Sequence, residues 1–117
     1  MGAREQTWLW AAQRASAAVL ALTVMVHLGT MVYAIRGGLS AAEIIDRLSG
    51  NLAALVFYVV FLLAVSIHGA IGLRTILREW TALGDTAANA IASLVAVLLF
   101  VLGWRAVYGL YSLGGAI

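Results

Sequence analysis

The chain has 117 residues, of which 64% are hydrophobic and only 10% are charged. Its seven basic residues, all arginine, and its five acidic residues leave a net charge of +2, and it contains neither cysteine nor proline. A soluble domain is about one quarter charged, so this composition excludes an ordinary water-soluble globule and indicates a protein solvated by lipid. The lack of cysteine excludes disulfide scaffolds and thiolate metal sites. The small, scattered charge excludes a nucleic-acid partner.

Three long segments carry no charged residue, namely 15–35, 48–73 and 86–104. A helix needs about 20 apolar residues to cross the hydrocarbon core of a bilayer. Backbone groups in lipid must be hydrogen-bonded within the segment, which favours helices over open strands. We therefore predict an all-α membrane protein with one domain, residues 1–117, and three transmembrane helices at approximately 9–33, 51–76 and 87–108. It would form part of a larger helical bundle.

The connections carry helix-capping signals. Ser40 and Glu43 have the spacing of a capping box and predict a short surface helix that ends near Leu48. Ser49 or Asn51 is expected to cap the second transmembrane helix, and a residue of the 85–86 pair the third. Arginines are slightly more numerous on the N-terminal side of the membrane, which favours a cytoplasmic N-terminus. That side carries Arg4, Arg14, Arg74 and Arg78, against Arg36, Arg47 and Arg105 on the other.

His68 is the most informative polar residue of the predicted second helix. Ala64 and Gly72 lie one turn before and one turn after it, and Gly69 follows it directly. Small neighbours on a histidine's own face leave a recess for a planar group, and imidazole is a common axial ligand of haem iron. The same pattern also suits close helix packing with a hydrogen bond across the contact, or a proton relay.

His27 belongs to a polar stripe of the first helix, since Ser16, Thr23, His27 and Thr30 recur at helical spacing. Such a stripe should face the inside of a bundle. Metal ligation and a hydrogen-bonded core histidine are both open for His27. It lies at a different depth from His68, so the two histidines of one chain are not expected to ligate one haem.

Arginines near the inner span ends have two interpretations. Arg14 either extends towards the lipid head groups or contacts a haem propionate, a quinone oxygen or an acidic residue of another protein. The same alternatives apply to Arg74 and Arg78, which lie one turn apart. The sequence has no phosphate-binding loop, no dinucleotide glycine pattern and no pair of carboxylates within a span.

Two segments resemble a known family. The segment from His68 through Gly72 and Arg74 to Glu79 resembles the motif H-x-x-x-G-x-R-x-x-x-x-D of the cytochrome b membrane anchor of succinate dehydrogenase and fumarate reductase, with Glu79 in place of the aspartate. The segment Gln13-Arg14-Ala-Ser16 resembles the family's H-R-x-S-G signature. The resemblance covers roughly residues 8–80.

The resemblance implies a non-catalytic subunit of respiratory complex II, an enzyme of the tricarboxylic acid cycle. The subunit would anchor an iron–sulfur subunit and a flavoprotein subunit in the membrane. By the same resemblance, that membrane would be a bacterial inner membrane. A second membrane anchor, either a different chain or a copy of this one, would lie beside it. Electrons would pass between the iron–sulfur subunit and quinone, with haem b as cofactor. Succinate oxidation would occur on the flavoprotein partner.

The resemblance also implies residue roles. His68 would be the axial haem ligand, and Arg14 with Ser16 would serve the quinone pocket or a haem propionate. Arg74 would serve a propionate or subunit docking, and His27 resembles the first-helix histidine of two-haem relatives.

The sequence departs from the family pattern at two positions of the first helix. Gln13 replaces the signature histidine, and Trp10 stands where the family has a quinone-binding serine. Two other functions therefore stay open: a haem-free structural anchor, and an anchor of another flavoprotein dehydrogenase.

Overall fold

The computed structural model describes residues 2–38 and 40–113. This part of the chain forms four helices, which are α1 (Ala3–Arg36), α2 (Ala41–Leu48), α3 (Leu52–Trp80) and α4 (Asp85–Ser112), and it contains no strand. The helices α1, α3 and α4 are long and apolar enough to cross a membrane. The predicted all-α architecture with three spans is confirmed.

The long helices extend beyond the predicted spans at almost every end. Hydropathy marks only the residues inside hydrocarbon, whereas helical hydrogen bonding continues through interfacial residues such as Arg4 and Glu5, which are good helix formers. The 34 residues of α1 correspond to about 51 Å of helix, well above the roughly 30 Å hydrocarbon thickness. Both ends of α1 therefore project into the interfacial regions.

The helix caps follow the sequence signals in two of three cases. The Ser40 side chain accepts a hydrogen bond from the Glu43 backbone N–H at 3.2 Å, and the Asn51 side chain accepts one from the Ala54 N–H at 3.1 Å. The expected side-chain cap of α4 is wrong, because Gly84 occupies the cap position without a side-chain hydrogen bond. Asp85 instead becomes the first residue of α4 and pairs with arginines of α3.

The helix α3 is central, because it packs against both α1 and α4, whereas α1 and α4 scarcely touch one another. The most buried residues are small: Ser16, Thr23, Ala64, Ser66, Ala88 and Ala92. Small residues let membrane helices approach closely. At Gly103 of α4, an added Cβ atom would collide with the Leu62 side chain of α3. Large aliphatic side chains lie mostly on the outer faces, where lipid or another chain can cover them.

Candidate functional site

His68 is half-buried and lies one helical turn from Gly72, whose face of α3 meets Gln13 of α1. Its Nδ1 atom is enclosed, and neither ring nitrogen has a hydrogen bond to the residues the structure describes. Nε2 is not enclosed in the same way. A buried polar atom without a partner costs about 1–3 kcal/mol, so the His68 ring is a group that the described residues do not satisfy.

The neighbours of His68 are small, as the sequence predicts. Ala64 is buried, and Gly69 faces α4, where an added Cβ atom would lie 3.7 Å from Leu99 Cδ1. Gly72 faces α1, where an added Cβ atom would lie 3.5 Å from Gln13 Nε2. The Gln13 amide therefore occupies the space that Gly72 leaves open.

Gln13 adds a second unsatisfied atom to the same helix contact. Its Oε1 is enclosed and has no hydrogen-bond partner within the described ranges. One turn of α3 separates Gly72, which Gln13 touches, from His68. The α1–α3 contact thus holds an unpaired amide oxygen and an unpaired imidazole nitrogen at neighbouring depths.

His27, unlike His68, has a hydrogen-bond partner within the described part of the bundle. Its Nδ1 lies 3.1 Å from Tyr58 Oη of α3, within hydrogen-bond distance. The ring also meets Tyr58 and Phe61 edge to face, with centroids 5.7 and 5.5 Å apart and interplanar angles of 88° and 90°. Such T-shaped pairs are favourable aromatic arrangements. His27 has the hydrogen bond expected of a core histidine, and the alternative of metal ligation stays a prediction.

The two histidines lie at different heights in the bundle. Tyr58 marks the level of His27 on α3. Residues 58 and 68 of α3 are about 15 Å apart along the helix axis at 1.5 Å per residue. One haem therefore cannot take both axial ligands from His27 and His68 of the same chain.

The hydroxyl groups of the polar stripe on α1 are satisfied within their own helix. The Ser16 hydroxyl donates to the Gln13 backbone oxygen at 3.0 Å, and the Thr23 hydroxyl donates to that of Val19 at 2.9 Å. Such bonds to the preceding turn are common for Ser and Thr in helices. A ligand at Ser16 would have to compete for this hydroxyl proton.

Arg14 is exposed at the end of the bundle opposite α2, which we term the inner end. Its guanidinium carbon lies 5.3 Å from the centroid of the Trp10 ring, a cation–π geometry. It forms no ion pair with any residue in the described part of the chain. The guanidinium N–H groups of Arg14 are thus available to a ligand or another chain.

Arg74 and Arg78 differ from Arg14, because α4 supplies them with a counter-charge. Asp85 Oδ1 lies 3.3 Å from Arg74 Nη2 and 2.8 Å from Arg78 Nε. Arg74 Nε also donates to Asn89 Oδ1, and Arg78 Nη1 donates to the backbone oxygen of Leu83 at 3.1 Å. These contacts tie the end of α3 to the start of α4.

Sequence reasoning missed Asp85, Asn89 and Tyr58 as partners of the candidate site residues. A usable signal existed for Asp85, since an acid just beyond a short turn comes close to arginines at the end of the preceding helix. No comparable signal existed for Tyr58, because its contact with His27 depends on how α1 and α3 are aligned.

The described residues include no group of three or more histidine, cysteine or acidic side chains that could together hold a metal ion. A metal at His68 would therefore have to arrive in a macrocycle that supplies most of its ligands, as haem iron does.

Comparison with known proteins agrees with this arrangement. A family model described as the succinate dehydrogenase/fumarate reductase transmembrane subunit matches residues 1–104. A comparison with curated proteins and with solved structures found no match. The matched region includes α1, α2, α3 and most of α4, and thus all three membrane-crossing helices. The chain therefore belongs to the family of succinate dehydrogenase/fumarate reductase transmembrane subunits, which are the membrane anchors of these complexes.

Proposed function

We propose that this anchor is a cytochrome b subunit that binds haem b through His68 and carries electrons between the iron–sulfur subunit and quinone. The observation that supports haem binding is the state of His68, whose ring nitrogens have no hydrogen bond to the described residues. Its neighbours Ala64, Gly69 and Gly72 are small, but Leu99 and the Gln13 amide fill the space beside the two glycines, so a planar group would require Gln13 to move aside.

The residues of this chain can supply one ligand to a haem iron, namely His68. A histidine ligates iron through a ring nitrogen that has no other partner, and Nε2 of His68 is the nitrogen that is not enclosed by this chain. If the haem takes a second protein ligand, that ligand would come from another chain, because His27 lies about 15 Å away along the bundle. The haem would thus lie between this subunit and a second membrane anchor, either a different chain or a copy. When bound, the haem supplies a one-electron carrier.

The quinone end of the proposal rests on Arg14. Its guanidinium is held over Trp10 without an acidic partner in the described ranges, so it can donate to a quinone carbonyl or to a haem propionate. The indole N–H of Trp10 offers a further donor where the family has a serine hydroxyl. Ser16, two residues further along α1 and on a buried face, would contribute its hydroxyl only after releasing the Gln13 carbonyl.

Subunit docking is proposed for the inner end of α3 and α4. Glu79 is exposed there, whereas Arg74 is already engaged by Asp85 and Asn89. In this proposal Arg74 acts mainly by holding the α3–α4 turn in shape, and the exposed residues of the turn contact the iron–sulfur subunit. That subunit is on the cytoplasmic side, in a bacterial inner membrane, in agreement with the arginine excess at this end.

His27 supports a variant of the proposal with two haems. A ligating histidine usually has its second nitrogen hydrogen-bonded to an outer partner, and Tyr58 provides this arrangement at Nδ1. The same bond also satisfies a purely structural histidine. We therefore propose one haem, at His68, and treat a second haem at His27 as an outcome of the experiment.

The test is a reduced-minus-oxidised absorbance spectrum of the purified complex, with haem counted by pyridine haemochrome. We expect a b-type band that His68→Ala removes and His27→Ala retains. Partial loss in each variant would indicate two haems. Unchanged haem in His68→Ala would refute the ligand assignment, and a wild-type complex without a b-type band would favour a haem-free anchor.

A separate measurement addresses the partner enzyme. Membranes containing the complex should reduce quinone with succinate as the electron donor. A complex that is active only with a different donor would identify an anchor of another flavoprotein dehydrogenase.

A further inference from the structure

A cavity of about 370 Å³ lies between α1 and α4 at the end of the bundle that carries α2. It exists because α3 packs against both of these helices while they scarcely touch each other. Residues of α3 form one of its walls, and residues of α2 line one end of it. Most of its lining is apolar and includes Met31, Ala34, Ile44, Leu48, Leu55 and Val107.

The cavity extends from the interfacial region into one leaflet of the bilayer. It extends from His27 and Tyr58 at the bottom to Glu43 and Arg47 of α2 at the mouth. His27 lies about 13 Å below the end of α1 at 1.5 Å per residue, and that end lies in the interfacial region, so the cavity runs from the interface into the hydrocarbon of one leaflet. An acyl chain that enters beside α2 would therefore end near the His27–Tyr58 pair.

The polar groups at the bottom do not require a polar ligand. His27 Nδ1 and Tyr58 Oη are within hydrogen-bond distance of each other, so each has a partner before anything enters the cavity. The Thr30 hydroxyl donates to the backbone oxygen of Val26 at 2.9 Å. This favours an apolar occupant in the lower part of the cavity.

The mouth, in contrast, presents two opposite charges. Glu43 and Arg47 lie one turn apart on α2, and both line the cavity. The Arg47 guanidinium carbon lies 5.2 Å from the centroid of the Tyr33 ring. Neither Glu43 nor Arg47 forms an ion pair with a residue in the described ranges. A head group that carries both a phosphate and an ammonium group would satisfy both side chains.

We propose that this cavity binds a zwitterionic phospholipid with a primary amine, of the phosphoethanolamine class. One acyl chain fills the apolar cavity, the phosphate contacts Arg47 and the ammonium group contacts Glu43. A primary ammonium donates hydrogen bonds to a carboxylate, whereas a quaternary ammonium has no N–H to donate. A purely anionic head group would bring no cation to Glu43. The site is independent of the haem assigned to His68 and of the quinone contact assigned to Arg14, neither of which lines the cavity.

The test is native mass spectrometry of the detergent-purified complex, titrated with phosphatidylethanolamine, phosphatidylcholine or phosphatidylglycerol of the same acyl chains. We expect one phosphatidylethanolamine to bind more tightly than either of the other lipids. Arg47→Gln and Glu43→Gln should each weaken its binding about fivefold, the scale of one interfacial charge contact. Both side chains are exposed, so these variants should still fold.

Matched controls separate this site from general lipid contact. Asp46→Asn changes an acid of the same helix, and Arg105→Gln changes an exposed arginine of α4, and neither residue lines the cavity. Both variants should bind phosphatidylethanolamine as the wild type does. Ala106→Phe places a large side chain in the cavity wall and should abolish the specific binding.

Two results would overturn the proposal. If the three lipids bound equally well and none of the cavity variants changed their binding, no specific head-group site would exist. Quinone recovered with the wild-type complex and lost in Ala106→Phe, without a bound phospholipid, would identify the cavity as a quinone site instead.

Discussion

The two histidines occupy the two halves of the bundle in opposite chemical states. In the half that carries α2, His27 has a hydrogen-bond partner in Tyr58 and two edge-to-face aromatic contacts. In the inner half, His68 has small neighbours and no hydrogen bond to the described residues. A polar group inside a membrane has to be satisfied by something. The comparison therefore separates a residue that the chain satisfies by itself from one that requires a group from outside.

The arginines of the inner end repeat this contrast. Arg74 and Arg78 are held by Asp85 of the same chain, whereas Arg14 lies over the face of Trp10 and has no ion pair among the described residues. His68, Arg14 and the Gln13 amide oxygen are thus inner groups without a hydrogen-bonding or ionic partner among the described residues. We propose haem at His68 and quinone at Arg14 because of these missing partners, and not merely because both residues are polar.

The largest effect on activity is expected from Arg14→Ala. A hydrogen bond from a charged donor is worth roughly 1.5–3 kcal/mol, so loss of Arg14 should reduce quinone reduction by about 10- to 100-fold. Succinate oxidation with a soluble artificial dye should stay unchanged, because it bypasses the anchor. Arg14→Lys should restore little, since a point charge does not replace the planar guanidinium.

The control for Arg14 is Arg4→Ala, which removes another exposed arginine of α1 at the same end. It should leave both activities at the wild-type level. If Arg14→Ala reduced the dye-linked and quinone-linked activities equally, the substitution would have damaged assembly and the quinone role would lose its support.

A substitution at the α3–α4 contact tests whether close packing against the central helix α3 stabilises the bundle. Gly103→Val should clash with Leu62 and destabilise the bundle by about 1–3 kcal/mol, the usual cost of overpacking. The measurement is the apparent melting temperature of the detergent-purified complex at a fixed scan rate.

Gly109 provides the matched control for Gly103 in the same helix. An added Cβ atom there would meet nothing within 4 Å. Gly109→Ala should be neutral or stabilise by up to about 1 kcal/mol, because alanine is the better helix former. An equal loss of stability in Gly103→Val and Gly109→Ala would contradict the close α3–α4 contact.

Tyr58→Phe sharpens the comparison of the two histidines. It removes the partner of His27 Nδ1 and should lower the stability of the complex by about 1 kcal/mol, while the haem assigned to His68 stays bound. The readouts are the apparent melting temperature and the haem count. Loss of about half the haem in this variant would instead indicate that His27 ligates a second haem and that Tyr58 orients it.

The features that the sequence predicts are those set by local chemistry. The charge-free segments located the three spans, and Ser40 and Asn51 form the caps that their spacing indicated. The contacts of Tyr58 and Asn89 could not be derived in this way, because they depend on the relative alignment of separate helices. The cavity below α2 depends on the distance between α1 and α4, which no local pattern encodes.

The smallest effect is expected from Asp85→Asn at the α3–α4 turn. Asp85 carries the counter-charge of Arg74 and Arg78, but its side chain is 37% exposed, and exposed ion pairs contribute only about 0–1 kcal/mol. The variant should therefore lower the apparent melting temperature only slightly, and high salt should reduce the difference from the wild type by screening the wild-type pairs.

The more informative effect of Asp85→Asn is that it removes a counter-charge of Arg74 and Arg78, which then resemble Arg14 in lacking an acidic partner at this position. In this variant, Arg74 and Arg78 lose the carboxylate that lies between them. The repulsion between the two guanidinium groups should then loosen the α3–α4 turn, which we propose contacts the iron–sulfur subunit. We expect weaker retention of the iron–sulfur subunit on size-exclusion chromatography, with unchanged haem at His68. Arg78→Gln combined with Asp85→Asn should restore part of the retention, because it removes one of the two like charges. If the double variant retained the iron–sulfur subunit no better than Asp85→Asn alone, repulsion between the two arginines would not be the cause.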